Sequence, residues 1–494
     1  MKDRAVALLL SLLFFALGSL WISKPGLQAD ESMLAASVYM PETAGLSASV
    51  FGRKVPLMQM SYLGSLETWI HGAVFRIWPA SAASMRAPSL VFGAATVFLT
   101  WWLMRRMAGR VAALFAAALL AVDPSFVWTT RCDWGPVAVQ HLLTVGGVCA
   151  IAARRVPLGF LLFGLAMWDK SVFAWTAAGL AVAWVACVRK LPGRTAVVMA
   201  VAMFALGAYP LIRYNVAFRG KTADQTAHFS ASNFPSKAEE FTRTLGGEKL
   251  YSYLVRDRGA PGWLPRSGLN GVLFAAAVLA SIWIAEARFF VVLTFGAWLA
   301  MALTVGGGES AHHIVLLWPW PLCAIAVTLG ALYRRSRGAA LGIAALACLC
   351  SLGVNARYYW LLTHHGADPP WSDAIYGVHR ELEARGYGQV WINDWGIHEP
   401  LAVLSRGALE MKLSYDLDPV KAAESGWPLV GHAEKWEALK GKNKRMGGGN
   451  GLRKEVLAVI PDSTGEPIFE IFRLVRADIA VLPPNSIVLP QIRR

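Results

Sequence analysis

The chain is predicted to be mostly α, a polytopic helical membrane protein with a C-terminal mixed α/β domain. Three observations lead there. Apolar types make up 55% and charged types only 16% of 494 residues, against about 25% charged in an average soluble domain. Apolar runs long enough to cross a bilayer recur throughout residues 1–356. Residues 357–494 are different: they balance 17 Lys/Arg against 17 Asp/Glu and alternate strand and helix signals. Six cysteines and 21 tryptophans, with no Gly-x-y period, exclude a disulfide scaffold, a collagen-like fibre and a disordered tail.

The net charge of +15 lies wholly in residues 1–356, which hold 30 basic and 15 acidic residues. The basic residues form short clusters between apolar runs, as in cytoplasmic loops under the positive-inside rule. A nucleic-acid groove needs one contiguous basic face, so no nucleic-acid partner is expected.

Apolar runs near 5–22, 86–104, 111–129, 135–153, 156–168, 172–188, 195–212, 270–285, 289–305, 313–333 and 338–356 predict eleven spans. The arginine-rich connectors at 105–110, 154–155, 189–194, 286–288 and 334–337 fall on one side with Lys2 and Arg4. That side collects 14 basic residues against two acidic ones, so the amino end is expected in the cytoplasm and the carboxyl end outside. The first run is read as an uncleaved helix. Its 18 apolar residues exceed the ~7–15 of a signal-peptide core.

Between the spans, segments 23–85 and 213–269 form long outer loops of a transmembrane domain, 1–356; residues 357–494 form an extracytoplasmic domain. Within the first loop, Leu63, Leu66, Trp69, Ile70, Ala73 and Ile77 recur at helical spacing, which predicts an interfacial helix over Tyr62–Trp78. In the tail, Gln389–Ile392, Glu455–Ile460 and Ile468–Leu474 read as strands, Glu399–Ser405 and Pro419–Leu439 as helices, and 447–450 as a loop. The cysteines lie in or beside spans at no metal-ligand spacing.

Ionisable residues near spans usually line a cavity or its mouth. Asp30-Glu31, Arg131-Cys132-Asp133, Asp169-Lys170 and His312-His313 all fall at span ends on the expected outer face. A carboxylate there can take a proton from an attacking hydroxyl, while Lys54, Arg131, Lys170, His312 and His313 can hold a departing phosphate. No Gly-rich phosphate loop opens a helix.

This arrangement resembles the GT-C-type integral-membrane glycosyltransferases, especially the protein O-mannosyltransferases and the lipid A aminoarabinose transferases. The acidic pair of their first outer loop is matched by Asp30-Glu31. A Lys-Pro-Pro-Leu segment is matched in part by Lys54-Val55-Pro56-Leu57, and a second-loop acidic residue by Asp133. Trp168-Asp169-Lys170-Ser171 resembles a short-helix pair, and His312-His313 before Leu316-Leu317-Trp318-Pro319 resembles the basic residue before a Leu-x-Pro span.

The resemblance implies inverting transfer from a polyprenyl-phosphate-linked sugar, with Asp30 as general base. Glu31 and Asp133 would position acceptor or sugar, and with Asp30 would hold a divalent cation if one is used. Lys54, Arg131, Lys170, His312 and His313 would stabilise the lipid phosphate. The partners implied are a lipid-linked sugar donor in the inner or plasma membrane and an acceptor protein, glycolipid or envelope glycan. The tail, with Trp391–Gly396, matches neither named group, which leaves the acceptor class open. The alternative is a membrane transporter or lipid-linked sugar flippase, for which polar or broken helices near the midplane are expected.

Overall fold

The computed structural model describes residues 2–189, 193–256, 259–414, 419–436 and 451–476. It is 64% helical, with a sheet-containing C-terminal domain. Each of the eleven apolar runs is helical. Three helices, Ala82–Met107, Ala285–Ala302 and Arg337–His364, are long and apolar enough to cross a membrane. The number rises to six if each of three bent pairs counts as one span. The helices Val137–Ala152, Val156–Asp169, Phe173–Val188 and Asn270–Ala280 are apolar but shorter. The expected eleven thus stand as three to six candidate spans among the described residues.

The bends have local causes. Arg110–Val122 and Pro124–Arg131 meet at 55° because Pro124 cannot donate into the preceding turn and Asp123 starts a new helix, accepting from Phe126 N–H at 2.8 Å. Asp123 also accepts from Trp318 Nε1 and Asn270 Nδ2, each at 2.9 Å, tying three helices together. Against this frame Ala82–Met107 packs on Lys2–Ser19, Arg110–Val122 and Val137–Ala152. Phe14 meets Phe126 with ring centroids 5.1 Å apart.

The first long loop carries a sheet that its sequence did not predict. Strands β1 (Leu46–Val50), β2 (Arg53–Met60) and β3 (Leu63–Gly64) pair antiparallel in that order. Phe51 and Gly52, both at positive φ, form the two-residue hairpin between β1 and β2. The expected helix over Tyr62–Trp78 is therefore shortened to Leu66–Val74. Its orientation differs from expectation too: Glu67, Thr68 and His71 are the buried residues, while Trp69 is exposed. The polar stripe faces the protein.

In the tail, strands β4 (Gln389–Ile392), β5 (Glu410–Leu413), β6 (Leu429–His432), β7 (Leu452–Pro461) and β8 (Pro467–Arg476) form one sheet, ordered β5-β4-β6-β8-β7. β4 runs parallel to β5 and β6; β8 runs antiparallel to β6 and β7. The helix His398–Leu404 and the strands β4, β7 and β8 lie where the sequence placed them. The helix expected over Pro419–Leu439 stops at Ser425. Pro428 cannot supply a helical N–H, and Leu429–His432 is a wholly buried strand instead. The loop expected at 447–450 lies outside the described residues.

The first loop and the tail share one hydrophobic core. Leu27, Ala35, Ala36 and Met85 are buried with Ile375, Val378, Leu401 and Ile471. The helix Ala29–Ala36 packs on His398–Leu404. A buried pair, Arg256 with Asp462, ties the 213–269 segment to the same domain.

Candidate active site

The acidic pair opens the helix Ala29–Ala36, capped by Gln28, whose Oε1 accepts from Asp30 N–H at 2.6 Å and Glu31 N–H at 3.3 Å. The two carboxylates then diverge. Asp30 is half-buried and its Oδ2 accepts from Trp134 Nε1 at 3.1 Å and Gln28 Nε2 at 3.3 Å. Its place in the first turn suits a negative charge at the positive end of the helix dipole.

Glu31 points into the protein. Arg86 donates to it from Nε at 2.5 Å and Nη2 at 2.8 Å, and both side chains are almost fully buried. The same guanidinium holds the carbonyls of Ile22, Pro25 and Gly26 at 2.7–3.1 Å. Arg131 clamps the preceding stretch, donating to the carbonyls of Gly18 at 3.1 Å and Leu20 at 2.6 Å, to those of Trp21 and Lys24, and to the Tyr359 hydroxyl. Two buried arginines therefore fix the 18–26 segment that delivers Asp30. Glu31 and Arg131 serve the framework here, turned from the half-exposed face of Asp30.

Asp133 sits at φ +38° in the turn before Val137–Ala152. Its Oδ1 accepts from the N–H groups of Val137 (2.9 Å) and Ala138 (3.0 Å), and its Oδ2 from Ser89 Oγ at 2.7 Å. Glu67 hydrogen-bonds to Asp133 side chain to side chain, and burial, with Asp133 and Asp169 nearby, pushes its carboxyl well above the usual range. One helical turn on, burial pushes the His71 imidazole down, against the Asp133 charge.

Asp169 and Lys170 occupy the apex between Val156–Asp169 and Phe173–Val188. That apex docks on the loop sheet: Lys170 bridges Leu63, Ser171 N–H donates to Tyr62 O at 2.9 Å, and Trp168 Nε1 donates to Leu57 O at 2.7 Å. Gly64 makes the approach possible, since a Cβ there would lie 2.2 Å from the Trp168 carbonyl oxygen. Lys170 Nζ donates to Gly135 O at 2.6 Å. Burial lowers the ammonium to about 8, opposed by the charges of Asp169, Asp133, Glu67 and Asp30. Both oxygens of Asp169 are buried without a hydrogen-bond partner among the described residues.

His312 follows the glycine-rich 306–308 segment and lies against Trp134, ring centroids 4.6 Å apart, with His313 4.3 Å beyond it. Trp134 thus touches Asp30 through its indole N–H and His312 through its ring. Asp30, Asp133, Asp169, Lys170 and His312 gather around one centre, with His313 behind, packed edge-on against Trp175. Lys54 does not join them; it is exposed near the hairpin tip, opposite Ser49.

Asp30, Glu31 and Asp133 do not form one metal ligand set, since both Glu31 oxygens lie on Arg86 and both Asp133 oxygens accept other donors. Among the described residues no group of three or more His, Cys, Asp or Glu side chains is placed to hold an ion.

No family model matches the sequence, and no curated protein does. A solved structure does: the Archaeoglobus fulgidus oligosaccharyltransferase in complex with Zn and sulfate superposes with TM-score 0.51 over 82% of this chain at 12% identity. The likeness is one of fold: this chain shares the architecture of that oligosaccharyltransferase over most of its length. The chain spans 62% of that neighbour's length. A second structure of the same protein, tethered with an acceptor peptide containing the NVT sequon, has TM-score 0.44, 12% identity and coverage of 83% and 63% of the two chains. The cluster draws on five separated segments, and Glu67 is the member that sequence reasoning missed. It is the only acidic residue in Tyr62–Trp78, with His71 four residues on. Such a pair on an otherwise apolar helix was the available signal.

Proposed function

We propose that this protein is an inverting glycosyltransferase that moves a sugar from a polyprenyl-phosphate donor to an acceptor hydroxyl at the outer face of the inner or plasma membrane. The observation that carries the reading is the gathering of Asp30, Glu67, Asp133 and Asp169 with Lys170 and His312 around Trp134, on an oligosaccharyltransferase-like fold. In the proposed topology the amino end lies in the cytoplasm and the C-terminal domain outside.

Asp30 takes the proton of the acceptor hydroxyl as its oxygen bonds to the anomeric carbon. The bond from that carbon to the phosphate oxygen breaks, and the lipid phosphate leaves. One base suffices for a single displacement. The Lys170 ammonium and His312 face the departing phosphate, where fixed donors in a water-poor site act most strongly. Asp133 and Glu67 stand beside Lys170 and position the sugar or the acceptor.

Mass spectrometry of envelope lipids and proteins with and without the protein tests this. A gain of one sugar mass is expected on an acceptor protein or glycolipid, and its carrier identifies the acceptor class. Flux of a lipid-linked sugar across sealed vesicles, with no glycosylated product, would instead establish the transporter reading.

Lys170 sets an expected pH limit. An ammonium lowered to about 8 keeps its charge below that pH and loses it above. Transfer is expected to fall tenfold per pH unit above about 8, and Lys170→Arg to hold the rate to higher pH, because a guanidinium stays protonated. A flat kcat/KM profile between pH 7 and 10 would remove Lys170 from the leaving-group role.

A further inference from the structure

A second site lies at the other end of the bundle. Helix Ala82–Met107 carries Arg86, the partner of Glu31, near one end and Arg106 at the other. Twenty residues at 1.5 Å each separate them by about 30 Å, the thickness of a bilayer core. Around Arg106 is a cavity of about 700 Å³, bounded by this helix, the start of Lys2–Ser19 and the pair Val137–Ala152 and Val156–Asp169.

Its walls are of two kinds. Phe98, Leu99, Trp102, Leu158 and Leu162 supply an apolar slot, and Arg4, Arg106 and Arg155 supply three guanidinium groups. Arg106 is braced over the Trp102 ring at 4.8 Å. The acid nearest in sequence, Asp3, is taken by Arg105 at 2.8 Å and Arg110 at 2.5 Å. None of the three cavity arginines has a salt bridge among the described residues. In the same wall the buried indole N–H of Trp101 has no acceptor among the described residues.

Three unpaired cations at the mouth of an aromatic slot call for an occupant that is anionic at one end and hydrocarbon at the other. We propose that this cavity binds a membrane phospholipid of net negative headgroup charge from the leaflet opposite the Asp30 site. The headgroup phosphate lies on Arg4, Arg106 and Arg155 through charge-assisted hydrogen bonds, and a chain lies along Phe98, Leu158 and Leu162. The inference is independent of glycosyl transfer and needs only that the bundle spans a membrane.

The test uses the full chain, delipidated in detergent and titrated with phosphatidylglycerol, phosphatidylcholine or inorganic phosphate, bound lipid being counted by native mass spectrometry. Phosphatidylglycerol is expected to be retained at least tenfold more than phosphatidylcholine. Arg106→Gln with Arg155→Gln is expected to abolish that preference, with the thermal midpoint of the lipid-free protein unchanged. Gly146→Phe, which fills the slot from a helix position with only Leu162 and Leu99 in ordinary contact, is expected to exclude the lipid while the arginines stay in place. Equal retention of the two lipids, an unaltered preference in the double variant, or competition by millimolar inorganic phosphate as effective as the lipid would each overturn the proposal.

Discussion

Asp30→Asn is expected to leave the protein folded and to lower kcat for sugar transfer by about 10²–10⁴, the range a positioned general base contributes. The structure explains why the fold should survive. Asp30 is half-buried, Asn keeps a carbonyl oxygen for the Trp134 indole, and no hydrogen bond to Asp30 Oδ1 is made among the described residues. What Asn cannot do is take a proton from the incoming hydroxyl. A change of that size corresponds to about 3–5 kcal/mol in the barrier, with little effect on KM, because the acceptor hydroxyl is deprotonated only as it reacts. The measurement is steady-state transfer with a purified lipid-linked donor beside the circular dichroism of the variant. Turnover at the unaltered rate would rule out Asp30 as the base.

The neighbouring position should behave in the opposite way. Glu31→Ala is expected to destabilise the protein by about 3–5 kcal/mol, since it leaves the Arg86 guanidinium buried without its counter-charge. Replacing both partners, Glu31→Leu with Arg86→Met, is expected to recover part of this, because two apolar side chains strand no charge, although the carbonyls of Ile22, Pro25 and Gly26 lose their donor. Thermal unfolding of the single and double variants in one detergent closes the cycle. A Glu31→Ala midpoint within a degree of the parent's would show that the pair contributes nothing to the fold. With both outcomes in hand, the adjacent acids would divide into one chemical and one architectural residue, a division that spacing in the sequence does not reveal.

Much of the site was nonetheless legible. Asp30, Asp133, Lys170 and His312 stand out as charged or titratable residues at the ends of apolar runs, and the fold brings them near Trp134 and Gly135. The tail strands β4, β7 and β8 were readable because each apolar run is short and bounded by turn residues. Other features follow from packing alone. The β1–β3 sheet has no clean alternation, because one end of β2 is exposed and the other buried against the apex at 168–171. Glu67 was hidden by the apolar spacing around it, which pointed to a membrane-facing stripe; the opposite stripe turned out to be the buried one. Arg131 carried a charge suited to phosphate, but only the fold shows five oxygen acceptors already around it. The span count differs because three apolar runs fold as bent helix pairs and four others form helices of only 10–17 residues.

The helix bearing Asp30 rests on residues 374–403 of the tail, and that fact has a consequence for biogenesis. Roughly 340 residues separate the two partners along the chain. At translation rates of about 5–20 residues per second the first waits on the order of tens of seconds for the second. Over that interval Leu27, Ala35 and Ala36 have no apolar cover from the tail, and the segment depends on Arg86 and Arg131 to keep its course. The segment that carries Asp30 therefore gains its apolar support only once residues 374–403 have been made, and a product truncated before them is expected to leave Leu27, Ala35 and Ala36 uncovered.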